Sequence, residues 1–315
     1  MKKRLFTGAA TAMVTPMRAG GEIDYPAMER LLEMQTEQGA DALVIMGTTG
    51  EASTLTDREK RELAEFAVRR VDKRLPVIIG TGSNDTRHAA MLSREAELLG
   101  ADGLLLVTPY YNKTSQEGLI RHFETIADQV SLPIILYNVP TRTGVNICPE
   151  TCRRLAEHPN ICAVKEASGN LSQVARTAAL CRDRMDIYSG NDDQILPVLS
   201  LGGQGVISVV GNLMPGKVAE ICRLYREGKL EESTKMQLEM LELMNAMFWD
   251  VNPVPVKAAM SLLGLCREEY RLPLVPMSEE KKGALREVLG RSFSEGSFSE
   301  GSFSEGSFSE GSREG

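Results

Sequence analysis

The residues with the most chemistry in them stand directly after short apolar runs. Ile161-Cys162-Ala163-Val164 leads straight into Lys165-Glu166-Ala167-Ser168. A lysine there is either a buried ion-pair partner or a nucleophile. The second use needs the neutral amine, which desolvation favours and which condenses with a keto group to a Schiff base. A second run, Ile134–Tyr137, ends in a phenol, and Arg142 follows five residues later within Thr-Arg-Thr-Gly. Either the phenol shuttles protons and the guanidinium clamps a carboxylate, or the two are a core tyrosine and a solvated loop arginine. Gly47-Thr48-Thr49-Gly50-Glu51 brackets two hydroxyls with glycines. That pattern suits close approach of backbone amides to a carboxylate or phosphate, and equally suits a tight turn. Tyr110 and Tyr111 offer phenol donors or interface packing. Gly190 leaves room beside Lys165, and Ile207 offers a backbone carbonyl. Asp192 and Asp193 have only His88, His122 and His158 as imidazoles to join them, so helix capping suits them better than metal binding.

These residues need elements that bring them together. Apolar runs recur at Gly8–Val14, Ala42–Met46, Val77–Ile79, Leu104–Val107, Ile134–Tyr137, Ile161–Val164, Ile187–Tyr188 and Val206–Val209. Runs without alternation predict strands buried on both faces, as in a parallel sheet. The segments between them have helical periodicity. In Arg58–Val71 the residues Leu63, Phe66, Ala67 and Val71 share one face, and Thr56 with Glu59 has capping-box spacing, as does Thr114 with Glu117. Eight βα units predict a (β/α)8 TIM barrel over residues 1–225, whose chemistry belongs at the strand C-termini. A doubly wound sheet would want a G-x-G-x-x-G turn after an early strand, and the chain has none. Helices near 214–226, 229–248, 254–264 and 278–290 extend the same domain to residue 291. From Ser292 to residue 315, Ser-Phe-Ser-Glu-Gly is repeated four times before a final Ser-Arg-Glu-Gly, a low-complexity tail for which disorder is the expectation.

Composition excludes several function classes. At 42% hydrophobic and 25% charged residues the chain can bury a substantial core. The net charge is −7, and five tail glutamates against Arg313 supply four of those charges. No basic cluster points to nucleic acid or an anionic membrane surface. Lys2-Lys3-Arg4 before Leu5–Val14 imitates a signal peptide, but Thr7, Gly8 and Thr11 interrupt the apolar part and a core strand is the better reading. No run is long enough to span a membrane. Six cysteines without a C-x-x-C pair read as buried thiols in a reducing cytoplasm, not as a disulfide or zinc framework.

Gly-Thr-Thr-Gly-Glu at 47–51, Pro-Tyr-Tyr-Asn at 109–112, Tyr-Asn-Val-Pro at 137–140 and Lys-Glu-Ala-Ser at 165–168 together resemble the dihydrodipicolinate synthase and N-acetylneuraminate lyase family of class I aldolases. The resemblance covers residues 5 to about 290 and implies a barrel with C-terminal helices, assembled as a homotetramer, a dimer of dimers. It implies that Lys165 forms an imine with pyruvate, so that no metal or diffusible cofactor is needed. Tyr137 then resembles the proton shuttle, with Thr48 and Tyr111 as its relay and Tyr111 reaching into a neighbouring subunit. Thr49 resembles the cradle for the pyruvate carboxylate, Gly190 and Ile207 line the pocket, and Arg142 holds the acid group of the second substrate. An arginine there suits L-aspartate 4-semialdehyde better than the long sugar acids of the lyases. Lysine-inhibited members bind their effector at positions matching Ala52, Ser53, Leu55, Asp57, Lys60, Asn84, His88 and Tyr110. His88 in place of a carboxylate, and Lys60 beside it, imply weak inhibition or none.

Overall fold

The structure, a computed structural model, describes residues 4–294. Eight strands close into a parallel barrel: β1 (Gly8–Ala12), β2 (Ala42–Ile45), β3 (Val77–Gly80), β4 (Gly103–Val107), β5 (Ile134–Asn138), β6 (Ile161–Glu166), β7 (Asp186–Ser189) and β8 (Gly205–Ser208). Closure comes from β8 pairing with β1, Ile207 opposite Ala10. The eight apolar runs are all strands, including the segment that imitates a signal peptide. Their edges shift by a few residues: β1 stops before Met13, β8 ends before Val209, and β6 runs on through Lys165 and Glu166.

Around the barrel stand α1 (Tyr25–Glu37), α2 (Asp57–Val71), α3 (Thr86–Leu98), α4 (Gln116–Ala127), the single turn α5 (Pro140–Thr143), α6 (Pro149–Leu155), α7 (Leu171–Cys181), α8 (Ile195–Ser200) and α9 (Pro215–Arg226). The capping box of Thr56 and Glu59 is formed at the start of α2. At α4 the cap is Ser115, whose hydroxyl accepts from the Gly118 amide at 3.2 Å, so the capping box expected from Thr114 and Glu117 is not what starts this helix.

Two apolar cores result. One fills the space between strands and helices, with Leu32, Leu63, Phe123, Ile134, Ile161 and Val164 among its members. The other lies inside the barrel and includes Ala10, Val44, Ile78, Leu105, Ile135, Ala163 and Ile207. At the N-terminal end of the barrel Phe6 stacks on Tyr188 with centroids 4.2 Å apart, and the Tyr188 hydroxyl donates to the Phe6 carbonyl at 2.7 Å. That pair packs across the floor of the barrel.

The extension comprises α10 (Leu230–Glu239), α11 (Leu241–Ala246), α12 (Val254–Leu262) and α13 (Glu279–Ser294). The single helix expected over 229–248 is two, broken at Met240. The last helix carries on past Arg291, and the Ser292 hydroxyl donates to the Val288 carbonyl at 2.9 Å. The repeats from Glu295 onward lie outside the described residues. Among the described residues no helix is long and apolar enough to cross a membrane. Nor do they contain three or more His, Cys, Asp or Glu side chains grouped to hold a metal ion.

Candidate active site

The site begins with a fault in the alternation of β6. Ile134 of β5 pairs with Ile161, but Ile135 pairs with Ala163, so β6 carries one extra residue. Ile161 belongs to the outer core, whereas Cys162 and Ala163 both belong to the inner one. In a regular strand Lys165 would share the outward face of Ile161, since residues an even number apart point the same way. The bulge reverses that parity, and bulges next to active sites commonly re-aim a side chain in this way. Lys165 therefore enters the barrel opposite Tyr137, its register partner, with Nζ 4.4 Å from the ring centroid.

The next pair in the same register, Asn138 and Glu166, points outward and braces the first. Glu166 accepts from Asn138 Nδ2 at 3.0 Å, the Ser168 amide at 2.8 Å and Gln173 Nε2 at 3.1 Å. Asn138 is fixed in turn by the Ile147 amide, which donates to its Oδ1 at 2.9 Å.

Lys165 is 5% exposed and Tyr137 7%. Among the described residues, the Lys165 ammonium has no hydrogen-bond or ion-pair partner and the Tyr137 hydroxyl has none either. A Cβ on Gly190 would lie 3.1 Å from Lys165 Cε and 2.6 Å from the Ala167 Cβ, so only glycine leaves the lysine its room. Ile207 is fully buried within the barrel on β8. The acidic pair does not cap its own helix. Asp192 Oδ2 instead accepts from the amides of Val209 at 2.9 Å and Val210 at 3.1 Å, just beyond β8. Burial raises the Asp192 carboxyl above the usual range, against those bonds and the charge of Lys165.

A cavity of about 460 Å³ is lined by Thr48, Tyr137, Val139 and Arg142 together with Ser53, Lys60, Asn84, His88 and Tyr110. Thr48, Tyr137 and Arg142 thus share one space with the candidate regulatory residues, and Lys165 lies against the ring of Tyr137. Thr48 and Thr49 start a 3-10 turn, Thr48–Gly50. Gly50 permits the close packing there, since a Cβ on it would sit 3.2 Å from the Met13 carbonyl oxygen. Arg142 projects from α5, which ends at Gly144 with φ 70°. Among the candidate regulatory residues His88 Nε2 meets both Asp57 oxygens at 3.0 Å, and Lys60 Nζ lies 3.4 Å from Asp57. Tyr111 does not join its own site. It sits at φ 70° and is 92% exposed.

Sequence reasoning missed what holds the mouth. Asn252, between α11 and α12, donates through Nδ2 to Thr49 Oγ1 at 3.0 Å, and its carbonyl accepts from Arg142 Nη2 at 3.0 Å. Glu51, in left-handed backbone at φ 54°, is buried against Lys257 of α12 with Nζ–Oε1 2.5 Å. Lys257 also donates to the Glu269 carbonyl at 2.6 Å and lies 5.3 Å from the Tyr270 ring centroid. The signal available was a lone charge in Val254–Leu262, whose other residues are apolar except Ser261.

The chain is similar to known proteins along nearly all of its described length. Residues 5–291 match the model of the dihydrodipicolinate synthetase family. A 4-hydroxy-tetrahydrodipicolinate synthase of Clostridium acetobutylicum is 51% identical over 282 residues, spanning 90% of this chain and 96% of that one. The crystal structure of dihydrodipicolinate synthase from Thermotoga maritima has a TM-score of 0.90 at 45% identity, covering 92% of this chain and 99% of its own. The synthase of Acinetobacter baumannii, solved with pyruvate, has a TM-score of 0.89 at 41% identity, over 91% of this chain and 98% of that one.

Proposed function

The chain belongs to the dihydrodipicolinate synthetase family, and from that premise we propose how its barrel mouth works. It is a Schiff-base lyase that condenses pyruvate with L-aspartate 4-semialdehyde to 4-hydroxy-tetrahydrodipicolinate, a step of lysine and diaminopimelate biosynthesis. The observation that carries the reading is the buried, unpartnered Lys165 ammonium against the Tyr137 ring. A buried amine with no hydrogen bond or ion pair among the described residues is held ready for covalent chemistry, because no bonded partner competes for its lone pair once the proton leaves.

In this reading Lys165 Nζ attacks the keto carbon of pyruvate, and the carbinolamine loses water to give an iminium. The iminium acidifies the methyl group. Loss of a methyl proton gives an enamine, whose carbon bonds to the aldehyde of the second substrate. The amino group of that substrate then displaces Lys165 from the imine carbon and closes the ring. No metal or diffusible cofactor takes part. Tyr137 moves protons to and from the adduct, with Thr48 as its neighbour in the relay. Thr49 receives the pyruvate carboxylate, Gly190 leaves room for the adduct and the Ile207 carbonyl lines it. Arg142 takes the carboxylate of the semialdehyde. Tyr111, turned outward, completes the relay of a second copy, which calls for an oligomer, in our reading a tetramer built as a dimer of dimers. We place the enzyme in the cytoplasm, on its cysteine usage and its biosynthetic reaction. Asp57 is already engaged by His88 and Lys60, so a lysine effector finds little free carboxylate, and inhibition is weak or absent.

Borohydride reduction in the presence of pyruvate tests the core of this reading. A pyruvate-derived mass adduct on Lys165 is expected, and its absence sinks every imine mechanism. Turnover of pyruvate with aspartate semialdehyde, against N-acetylmannosamine as the competing aldehyde, then separates the synthase from a sugar-acid lyase. Truncation after Arg291 should leave turnover unchanged.

A further inference from the structure

A hydroxyl can donate one hydrogen bond and accept two, and which it does at a binding site depends on what its neighbours already occupy. Thr49 is 3% exposed and Asn252 6%. Asn252 Nδ2 donates to Thr49 Oγ1 at 3.0 Å, filling an acceptor position on that oxygen. Among the described residues the Thr49 hydroxyl donates to nothing, so its proton is left for an incoming acceptor. A carboxylate is such an acceptor, and hydrogen bonds to charged groups are among the stronger ones. The same Asn252 is held by its backbone: its carbonyl accepts from Arg142 Nη2 at 3.0 Å. One residue of the C-terminal extension thus touches both the hydroxyl that faces the first substrate and the guanidinium that faces the second.

We propose that Asn252 is a positioning residue which, by donating to Thr49 Oγ1, keeps the Thr49 hydroxyl proton directed at the pyruvate carboxylate, while its carbonyl holds Arg142 in place for the second acid group. The inference rests on the assignment of Thr49 and Arg142 made above. It separates the two halves of Asn252: changes to the side chain act on pyruvate, and the carbonyl that serves Arg142 survives them. The buried Asn252 Oδ1 has no partner, which leaves the amide oriented by the Thr49 contact alone.

Steady-state kinetics of Asn252→Asp, Asn252→Leu, Thr49→Val and the Thr49→Val/Asn252→Leu double variant test this. An aspartate is nearly isosteric but can only accept, so it captures the Thr49 proton. Asn252→Asp should raise the pyruvate KM by more than tenfold, and Asn252→Leu by roughly tenfold. The KM for aspartate semialdehyde and kcat should stay within about threefold of the parent. The double variant should be no worse than the poorer single one, because both remove the same contact. An unchanged pyruvate KM in Asn252→Asp overturns the proposal, as does additivity in the double variant or an equal loss for both substrates. Borohydride trapping of pyruvate on the parent enzyme is run alongside. If the parent gives no adduct, the reading of the whole site fails. If it traps normally while the Asn252 variants bind pyruvate like the parent, only the role of Asn252 fails.

Discussion

Among the described residues two lysines are buried, one in the barrel and one in the C-terminal extension, and they are solvated in opposite ways. Lys257 is fully buried, ion-paired with Glu51, bonded to the Glu269 carbonyl and near the Tyr270 ring. Lys165 is nearly as buried and also faces a tyrosine ring, yet its ammonium has no ion-pair or hydrogen-bond partner among the described residues. Burying a charge is costly unless it is paired and hydrogen-bonded. The extension meets that demand in full and gains a fixed strut under the Thr48–Gly50 turn. The barrel leaves it unmet at the position where we propose that the carbonyl substrate reacts. Burial is common to both lysines, and the unfilled coordination shell is what sets Lys165 apart.

The comparison breaks most decisively if Lys165 is dispensable. Lys165→Met should lower turnover on the order of 10⁴-fold or more. It should also raise the unfolding free energy from urea titration slightly, by about 1–2 kcal/mol, since an unpaired charge leaves the core. A stability loss in that variant would mean that Lys165 has a partner after all. Lys257→Met has the opposite sign. It strands Glu51 and should cost about 3–5 kcal/mol in chemical denaturation, much of it recovered in a Lys257→Met/Glu51→Gln double variant.

The two tyrosines extend the contrast. Tyr137→Phe should reduce kcat by about 10²–10³-fold with the fold intact, as expected for loss of an acid–base group. The Tyr270 hydroxyl donates to the Val254 carbonyl at 2.8 Å, so Tyr270→Phe should cost only about 1 kcal/mol of stability and leave kcat alone. Equal kinetic effects from the two would erase the distinction between the regions.

A third buried base supplies a pH test with an effect between these two. His122 is buried on α4, Nδ1 lies 2.9 Å from Thr86 Oγ1 and Nε2 is without a partner. Burial lowers its pKa from 6.5 to about 4. Between those values the unfolded chain binds the proton and the folded one does not, so stability is full above pH 6.5 and is lost as pH falls toward 4. The loss should be on the order of 2 kcal/mol. Urea midpoints at pH 7 and pH 5 should differ, and His122→Phe should flatten that difference while Lys165→Met should not.

Much of this could be read before any coordinates. Near-continuous apolar runs marked the eight strands because both faces of a barrel strand are buried. Lys165, Tyr137 and Arg142 stood out because each follows such a run. What could not be read depends on distant or subtle geometry. Asn252 and Lys257 act across more than two hundred residues, on Thr49 and Glu51, and no local pattern announces that. Ser115 and Thr114 are both chemically fit to cap α4, and backbone angles alone choose between them. Asp192 has the composition of a helix cap, but tertiary packing turns it toward the amides beyond β8.

The extra residue in β6 works like a half-step let into a staircase. Cys162 and Ala163 both stand on the inner face, so Lys165, four residues beyond Ile161, ends on the opposite side from it. Removing Cys162 would leave a regular flight in which Ile161 and Lys165, then three apart, still face opposite ways. Smoothing the bulge at full length would instead turn the amine outward and the Glu166 carboxylate inward, so what this strand has to keep is parity.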